Sequence, residues 1–270
     1  MKQAPVTGGE LKYQTRGDGE PVLLIHGAFV AASFLRLMDE PSMADYRLIR
    51  YHRAGYAGST APAGPVQRHA ADAVALLRHL GVERAHIVGH SAGAIVALQV
   101  AVSAPGVVHS LVLLEPPMGT GPSRPKWIQE VIEPARERYG AGDRVGAVEI
   151  FMRGVAGPDW RRMIARTVPG GPEQAEQDVA TFFTFDLGVS GFDEEKAKRI
   201  SPSTPILYMW GSDTPSFFKE DRDMIRAWFP HAEDRLVRGV GHSLQMEDPR
   251  AVAEGIGDFL RRHAFKKRSN

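Results

Sequence analysis

A serine framed by two glycines, placed between an apolar run and a long apolar segment, constrains this chain more than any other sequence feature. Residues 89–93 read Gly-His-Ser-Ala-Gly, and the segment 92–103 that continues from them is apolar nearly all round. Such a segment predicts a buried helix, and glycine two positions before and after the serine lets a strand and a helix pass closely. The pattern therefore predicts a sharp strand-to-helix turn that lifts the Ser91 hydroxyl above a sheet edge, where free N–H groups at the helix start favour a developing anion.

Short apolar runs alternate with longer amphipathic segments along most of the chain. The run 22–25 has no polar alternation, which is typical of a parallel strand buried on both faces. This alternation predicts an α/β fold in which helices flank a mostly parallel, twisted sheet. Further strands are predicted near 11–14, 47–51, 86–88, 111–114, 206–210 and 234–237, and helices over 66–80, 92–103 and 248–260.

The stretch 116–203 interrupts this alternation. It begins rich in proline and glycine, contains no convincing strand, and then reads as several helices that carry aromatic residues. We expect residues 1–115 and 204–270 to form one α/β core, and residues 116–203 to form a helical lid over the ends of the sheet.

Composition restricts the classes of function. The chain has 270 residues and 43% hydrophobic content, which is enough for one large domain with a buried core. The net charge of +1 does not indicate a nucleic-acid partner, and the absence of cysteine excludes disulfides and thiolate chemistry. No apolar run has the length of a signal peptide or membrane helix, so we expect a soluble cytoplasmic protein, monomeric or homodimeric, without a membrane partner. No metal, phosphate-loop or dinucleotide motif is present, so we expect a small-molecule substrate and no cofactor.

Four separated motifs together resemble the α/β-hydrolase superfamily over nearly the whole chain. His26-Gly27 follows the strand at 22–25, and Arg53-x-Gly55-x-x-Gly58-Ser59 resembles the superfamily's Arg-Gly-x-Gly-x-Ser turn. The motif 89–93 resembles its nucleophile elbow, and Gly241-His242-Ser243 lies just before the last helix. The resemblance implies a serine hydrolase with Ser91 as the nucleophile.

Of the ten histidines, His242 is the best candidate for the general base. It lies in a glycine-bearing loop after the last strand, where the superfamily places its catalytic histidine. An imidazole there can accept the serine proton and later protonate the leaving group. His90 adjoins the serine in sequence, but we expect its backbone position to aim the ring away from the reacting face.

The sequence is ambiguous about the carboxylate that would hold this histidine. The resemblance places it after the strand 206–210 in the pattern Trp-Gly-x-x-Asp, but here Asp213 comes one residue early and Thr214 occupies the usual place. The alternative is Glu115, which ends the strand at 111–114 on the edge where active sites form and which needs a partner if it is buried. Some relatives, including fungal enzymes that open resorcylic lactones, resemble this second arrangement. The sequence favours Glu115 and leaves Asp213 open.

Two further groups complete the expected site. The resemblance implies an oxyanion hole formed by the backbone amides of Ala28 and Ala92. Aromatic residues of the lid and of the loop after 22–25 predict an apolar acyl or ring pocket. The candidate wall residues are Phe29, Trp127, Phe151, Trp160 and Phe182.

These features predict a hydrolase that cleaves a small or medium, largely apolar and uncharged carboxylic ester or lactone through an acyl-enzyme on Ser91. The same triad of serine, histidine and carboxylate also serves thioesterases, carbon–carbon bond hydrolases and cofactor-free haloperoxidases, so those activities remain alternatives. A non-catalytic ligand-binding member of the same fold is the alternative from a different class.

Overall fold

One eight-stranded sheet organises the computed structural model, which describes residues 1–119, 121–187 and 192–266. The strands are β1 (Lys2–Val6), β2 (Gly9–Arg16), β3 (Glu20–Ile25), β4 (Tyr46–Tyr51), β5 (Ala85–His90), β6 (Val108–Leu114), β7 (Ile206–Gly211) and β8 (Glu233–Val237). Their order across the sheet is β1-β2-β4-β3-β5-β6-β7-β8. The pairs β1–β2 and β2–β4 are antiparallel and every other pair is parallel, so the predicted α/β fold with a mostly parallel sheet is confirmed.

Twelve α-helices lie in the described part of the chain. They are α1 (Val66–His79), α2 (Ala92–Ser103), α3 (Arg124–Trp127), α4 (Glu133–Gly140), α5 (Arg144–Ala156), α6 (Trp160–Thr167), α7 (Gly171–Gln177), α8 (Val179–Thr181), α9 (Glu194–Ala197), α10 (Ser216–Trp228), α11 (Leu244–Glu247) and α12 (Pro249–Arg262). Two π-helical turns, Ile128–Ile132 and Phe182–Asp186, interrupt the helices between β6 and β7.

The strand β1 was not predicted from the sequence. It lies at the antiparallel edge of the sheet, and of its five residues Ala4 is the one that is buried. Pro5 lies within it, as an edge strand permits because one side of the strand needs no hydrogen-bond donor. A strand with so little buried surface has no apolar run to reveal it.

Both faces of the central sheet are covered by apolar residues. Leu23 and Ile25 of β3 belong to the core cluster shared with α1 and α2, whereas Val22 and Leu24 belong to the cluster shared with α12. Because alternate side chains of one strand enter two different cores, the strand must be apolar at every position. This explains the missing polar alternation.

Between β6 and β7, the described part of residues 116–203 contains helices and no strand. These helices share a third apolar cluster with Phe29 and Val30, which follow β3, and with Met246 of α11. The insertion therefore packs over the carboxyl edge of the parallel strands. Among the described residues, none of the helices combines the length and apolarity needed to span a bilayer.

Candidate active site

The turn between β5 and α2 holds Ser91 in a backbone conformation that side chains rarely adopt, with φ 53° and ψ −126°. Its N–H donates to the carbonyl of Leu114 at 2.8 Å, which ties the turn to β6. A Cβ on Gly89 would lie 2.3 Å from the carbonyl oxygen of Gly93, and a Cβ on Gly93 would lie 2.2 Å from that of Ile25. Both glycines are therefore needed for the strand and the helix to pass at this separation.

Glu115 and His242 form a buried pair at the same edge of the sheet. Nδ1 of His242 lies 2.7 Å from Oε2 of Glu115, and Glu115 is fully buried. The same carboxylate accepts hydrogen bonds of 2.8 Å from the N–H of Gly211 and from the hydroxyl of Thr214. With the carboxylate ionised, Nδ1 carries the proton and Nε2 remains an acceptor. The arrangement can orient an imidazole for proton transfer.

Asp213 does not share in this pair. It is exposed, and its carboxylate accepts a hydrogen bond from the neighbouring Ser212 hydroxyl at 2.7 Å. Of the two carboxylates that the sequence left open, the fold brings Glu115 to His242. Thr214, at the position where the superfamily pattern has its aspartate, supplies a hydroxyl donor to Glu115 instead.

Burial shifts the pKa values of Glu115 and His242 in opposite directions. Desolvation raises the pKa of the Glu115 carboxyl, and the Gly211 N–H and Thr214 hydroxyl partly offset that rise because they donate to the charged form. Desolvation lowers the pKa of the His242 imidazole. A low pKa keeps the imidazole neutral near pH 7, which is the form that can accept a proton.

The rings of Phe218 and His90 both contact His242, the first at its side chain and the second at its backbone. The ring of Phe218, near the start of α10, stacks on the imidazole at 3.9 Å with an interplanar angle of 10°. Nε2 of His90 lies 2.9 Å from the carbonyl oxygen of His242. The sequence predicts a His90 ring aimed away from the reacting face, and the fold turns that ring toward His242, with the two ring centroids 4.8 Å apart. His90 shares the face of β5 that carries Val88, and the loop with His242 covers that face.

A cavity of about 70 Å³ lies above the turn. Ser91, His242, Ala28 and Ala92 all line it, as do four of the five aromatic residues predicted as walls. Those four are Phe29, Trp127, Phe151 and Phe182.

Trp160 is the exception among the predicted walls. It is fully buried within the insertion, and its indole N–H donates to Glu149 at 3.1 Å. Aromatic composition identified Trp160 as a candidate, but its place on α6 directs it into the apolar cluster that joins the helices of the insertion. It packs the helical insertion and does not line the cavity.

A buried ion pair links the insertion to the loop after β4. Arg53 is 1% exposed and donates through two nitrogens to Asp186, which also accepts from the Tyr56 hydroxyl at 2.6 Å. Arg53 also donates to the carbonyl of Gly27 at 3.0 Å. Burial alone would raise the pKa of Asp186, but the adjacent guanidinium holds that pKa below its usual value. The motif identified Arg53, whereas nothing in the sequence identified its partner.

Three positions at this site have positive φ values that are uncommon outside glycine. They are Phe29 at 62°, Ser91 at 53° and Glu115 at 45°, each directly after or close to the end of a parallel strand. Strained backbone of this kind persists where the surrounding structure imposes it, and it occurs most often at functional sites. Within the described residues, no group of three or more His, Asp or Glu side chains is placed to hold a metal ion.

Comparison with known proteins identifies the class. Residues 20–249 match the family model described as alpha/beta hydrolase fold. The chain belongs to this family.

Three similar proteins match this chain over different shares of its length. The esterase YbfF of Escherichia coli is 22% identical over 263 residues, which cover 92% of this chain and 95% of that protein. A protein of Azorhizobium caulinodans provisionally named as the carbamate hydrolase RutD is 36% identical over 107 residues, so the matched part spans 40% of its length. The structure of a thermophilic esterase from Thermogutta terrifontis has a TM-score of 0.79 at 20% identity and covers 98% of this chain and 100% of its own.

Proposed function

We propose that this protein is a serine hydrolase that cleaves compact carboxylic esters or lactones, with Ser91, His242 and Glu115 as its catalytic residues. The observation that carries the proposal is the hydrogen-bonded Glu115–His242 pair beside the cavity that Ser91 lines on its strained turn. A nucleophile, a base and a group that orients the base are the three components that acyl transfer requires.

The reaction would proceed in two halves. The Ser91 hydroxyl oxygen attacks the substrate carbonyl while Nε2 of His242 accepts its proton, and Glu115 stabilises the resulting imidazolium. The N–H groups of Ala28 and Ala92 stabilise the oxyanion of the tetrahedral intermediate. The imidazolium then protonates the departing alcohol, which leaves an acyl-enzyme. Water activated by His242 then attacks that ester. The carboxylic acid product is released, and the Ser91 hydroxyl is regenerated.

The size and walls of the cavity favour a compact substrate. A single water needs about 10–15 Å³, so the cavity of about 70 Å³ has room for roughly five to seven waters, which favours a compact acyl group. Phe29, Phe151 and Phe182 pack against one another along its wall, with ring centroids 4.3–5.6 Å apart. The esterase name of a full-length relative supports an ester substrate.

Covalent labelling of Ser91 tests the proposal. A fluorophosphonate should modify the protein at Ser91, and p-nitrophenyl butyrate should be hydrolysed, because both reactions need an activated serine in an oxyanion hole. Ser91→Ala should abolish labelling and turnover. Ser103→Ala, at the far end of α2, serves as the matched control and should retain both. Folded wild-type protein that neither reacts nor turns over would make this a non-catalytic member of the family.

A further inference from the structure

On the cavity wall, two side-chain nitrogens of Arg124 have no hydrogen-bond partner among the described residues. Arg124, the first residue of α3, lines the cavity together with Ser91 and His242. Its Nε and Nη1 atoms are buried, and within the described residues they have no hydrogen-bond partner. A buried guanidinium normally engages several acceptors, because leaving its donors unsatisfied costs free energy.

Aromatic rings hold this guanidinium in place. Its carbon lies 4.7 Å from the ring centroid of Trp127 and 5.4 Å from that of Phe217. Such cation–π contacts position the charge but satisfy none of its N–H donors. Arg124 is therefore held on the cavity wall while its Nε and Nη1 donors lack acceptors among the described residues.

The acidic residues nearby do not supply the missing acceptor. Asp221 attracts Arg124 electrostatically, but within the described residues it makes no hydrogen bond to it: Oδ2 accepts from the N–H of Met118 at 3.1 Å, the buried Oδ1 has no partner, and Asp221 does not line the cavity. Burial raises the pKa of Asp221 to about 7, which weakens it further as a permanent counter-charge. Asp186 does line the cavity, but Arg53 and Tyr56 already occupy its oxygens.

We propose that Arg124 binds a carboxylate of the substrate, so that the ester or lactone cleaved here carries a carboxylate at the end remote from the reacting carbonyl. A guanidinium presents parallel donors that match the two oxygens of a carboxylate. The inference rests on the proposed function for the identity of the reacting bond, and it replaces the uncharged substrate that the sequence predicts.

Ring contacts along the wall limit the separation of the two binding ends. Three successive ring contacts connect the guanidinium to the catalytic imidazole: Arg124 to Phe217 at 5.4 Å, Phe217 to Phe218 at 4.2 Å, and Phe218 to His242 at 3.9 Å. These contacts give only an upper limit for the distance between the guanidinium carbon and the imidazole centroid, because the three segments need not lie on one line. We therefore test a substrate with three carbons between the carboxylate and the ester carbonyl.

Two esters of equal length test the proposal. Monoethyl glutarate carries a terminal carboxylate, and ethyl 4-carbamoylbutanoate carries the neutral amide in its place. Wild-type enzyme should have the higher kcat/KM for the acid. Arg124→Met should lower the ratio of the two kcat/KM values by about 10- to 100-fold, which is the range for losing a hydrogen bond to a charged group. Lys126→Met, an exposed change on the same helix, should leave the ratio unchanged. An Arg124→Met ratio equal to that of wild type overturns the proposal and leaves Arg124 a packing residue.

A binding measurement separates this inference from the proposed function. In the Ser91→Ala protein, 5-oxohexanoate should bind at least 10-fold more tightly than 5-oxohexanamide by calorimetry, and Arg124→Met should remove that difference. Equal binding of the two ketones overturns the carboxylate site. Arg124-dependent binding in a wild-type protein that does not hydrolyse either ester would preserve the site and contradict the hydrolase proposal.

Discussion

At the scale of single residues, the contacts of Glu115 explain how this chain can do without an aspartate at position 214. The carboxylate comes from the end of β6, and the hydroxyl of Thr214 donates to the same oxygen that faces His242. Gly211 donates to the other oxygen. A buried carboxylate with donors on both oxygens is held in one orientation, which fixes the imidazole in turn.

Glu115→Gln should therefore lower kcat far more than Asp213→Asn. The amide removes the negative charge that stabilises the imidazolium and can leave His242 in the wrong tautomer, so we expect a loss of about 10³–10⁴-fold. Asp213→Asn should change kcat by less than about threefold, because the Asp213 carboxylate is exposed and contacts Ser212. Steady-state kinetics on p-nitrophenyl butyrate, with melting temperatures to verify folding, measure both. An equal or larger loss in Asp213→Asn would assign the role to Asp213.

At the scale of elements, the turn between β5 and α2 depends on close approach of backbone segments. Gly93 lies against the carbonyls of both Ile25 and His26 at the end of β3. The start of α2 thus rests on the strand whose following loop carries Ala28. Any added atom at position 93 would displace the helix start and this loop relative to each other.

Gly93→Ala should destabilise the protein by about 1–3 kcal/mol, the usual range for overpacking a close contact. Fluorophosphonate labelling of the fraction that remains folded should also slow, because Ser91 and Ala92 share this turn. Gly106→Ala is the matched control, since a Cβ at Gly106 meets nothing within 4 Å. Urea unfolding and labelling rates measure the two effects. A Gly93→Ala protein as stable and as reactive as the Gly106→Ala protein would contradict this account of the turn.

At the scale of the whole molecule, the Arg53–Asp186 pair joins the helical insertion to the α/β core. Both side chains are buried, and Arg53 also contacts the carbonyl of Gly27 beside the expected oxyanion loop. The cavity between insertion and core is therefore bounded by an ion pair as well as by apolar contacts. Removing one member would leave the other charge buried and unpaired.

Asp186→Asn should lower the free energy of unfolding at pH 7 by about 3–5 kcal/mol. The folded pKa of Asp186 lies below its unfolded value, so the stabilisation is complete above about pH 4 and is lost as the pH falls through the folded pKa. The difference between wild type and variant should accordingly narrow in acid. Urea titrations across this pH range measure it, and Asp159→Asn, an exposed change in the insertion, should differ from wild type by less than about 0.5 kcal/mol. If wild type and Asp186→Asn differ little in free energy of unfolding at pH 7, or if that difference does not change with pH, then the pair does not stabilise the fold.

The sequence by itself determined the α/β architecture, because a strand buried on both faces must be apolar throughout and a serine turn between strand and helix requires glycine at fixed positions. These are local requirements, and 22–25 and 89–93 display them directly. The edge strand β1 escaped prediction because it buries almost nothing.

The tertiary structure alone decided which distant side chains meet. Glu115 and Asp213 both follow parallel strands, and the choice between them depended on the path of the loop that carries His242, 127 positions beyond Glu115. Trp160 and Arg124 both lie in the insertion, yet the fold buries the first among its helices and places the second on the cavity wall. No periodicity encodes such placements, because they arise from how helices of the insertion pack over the sheet.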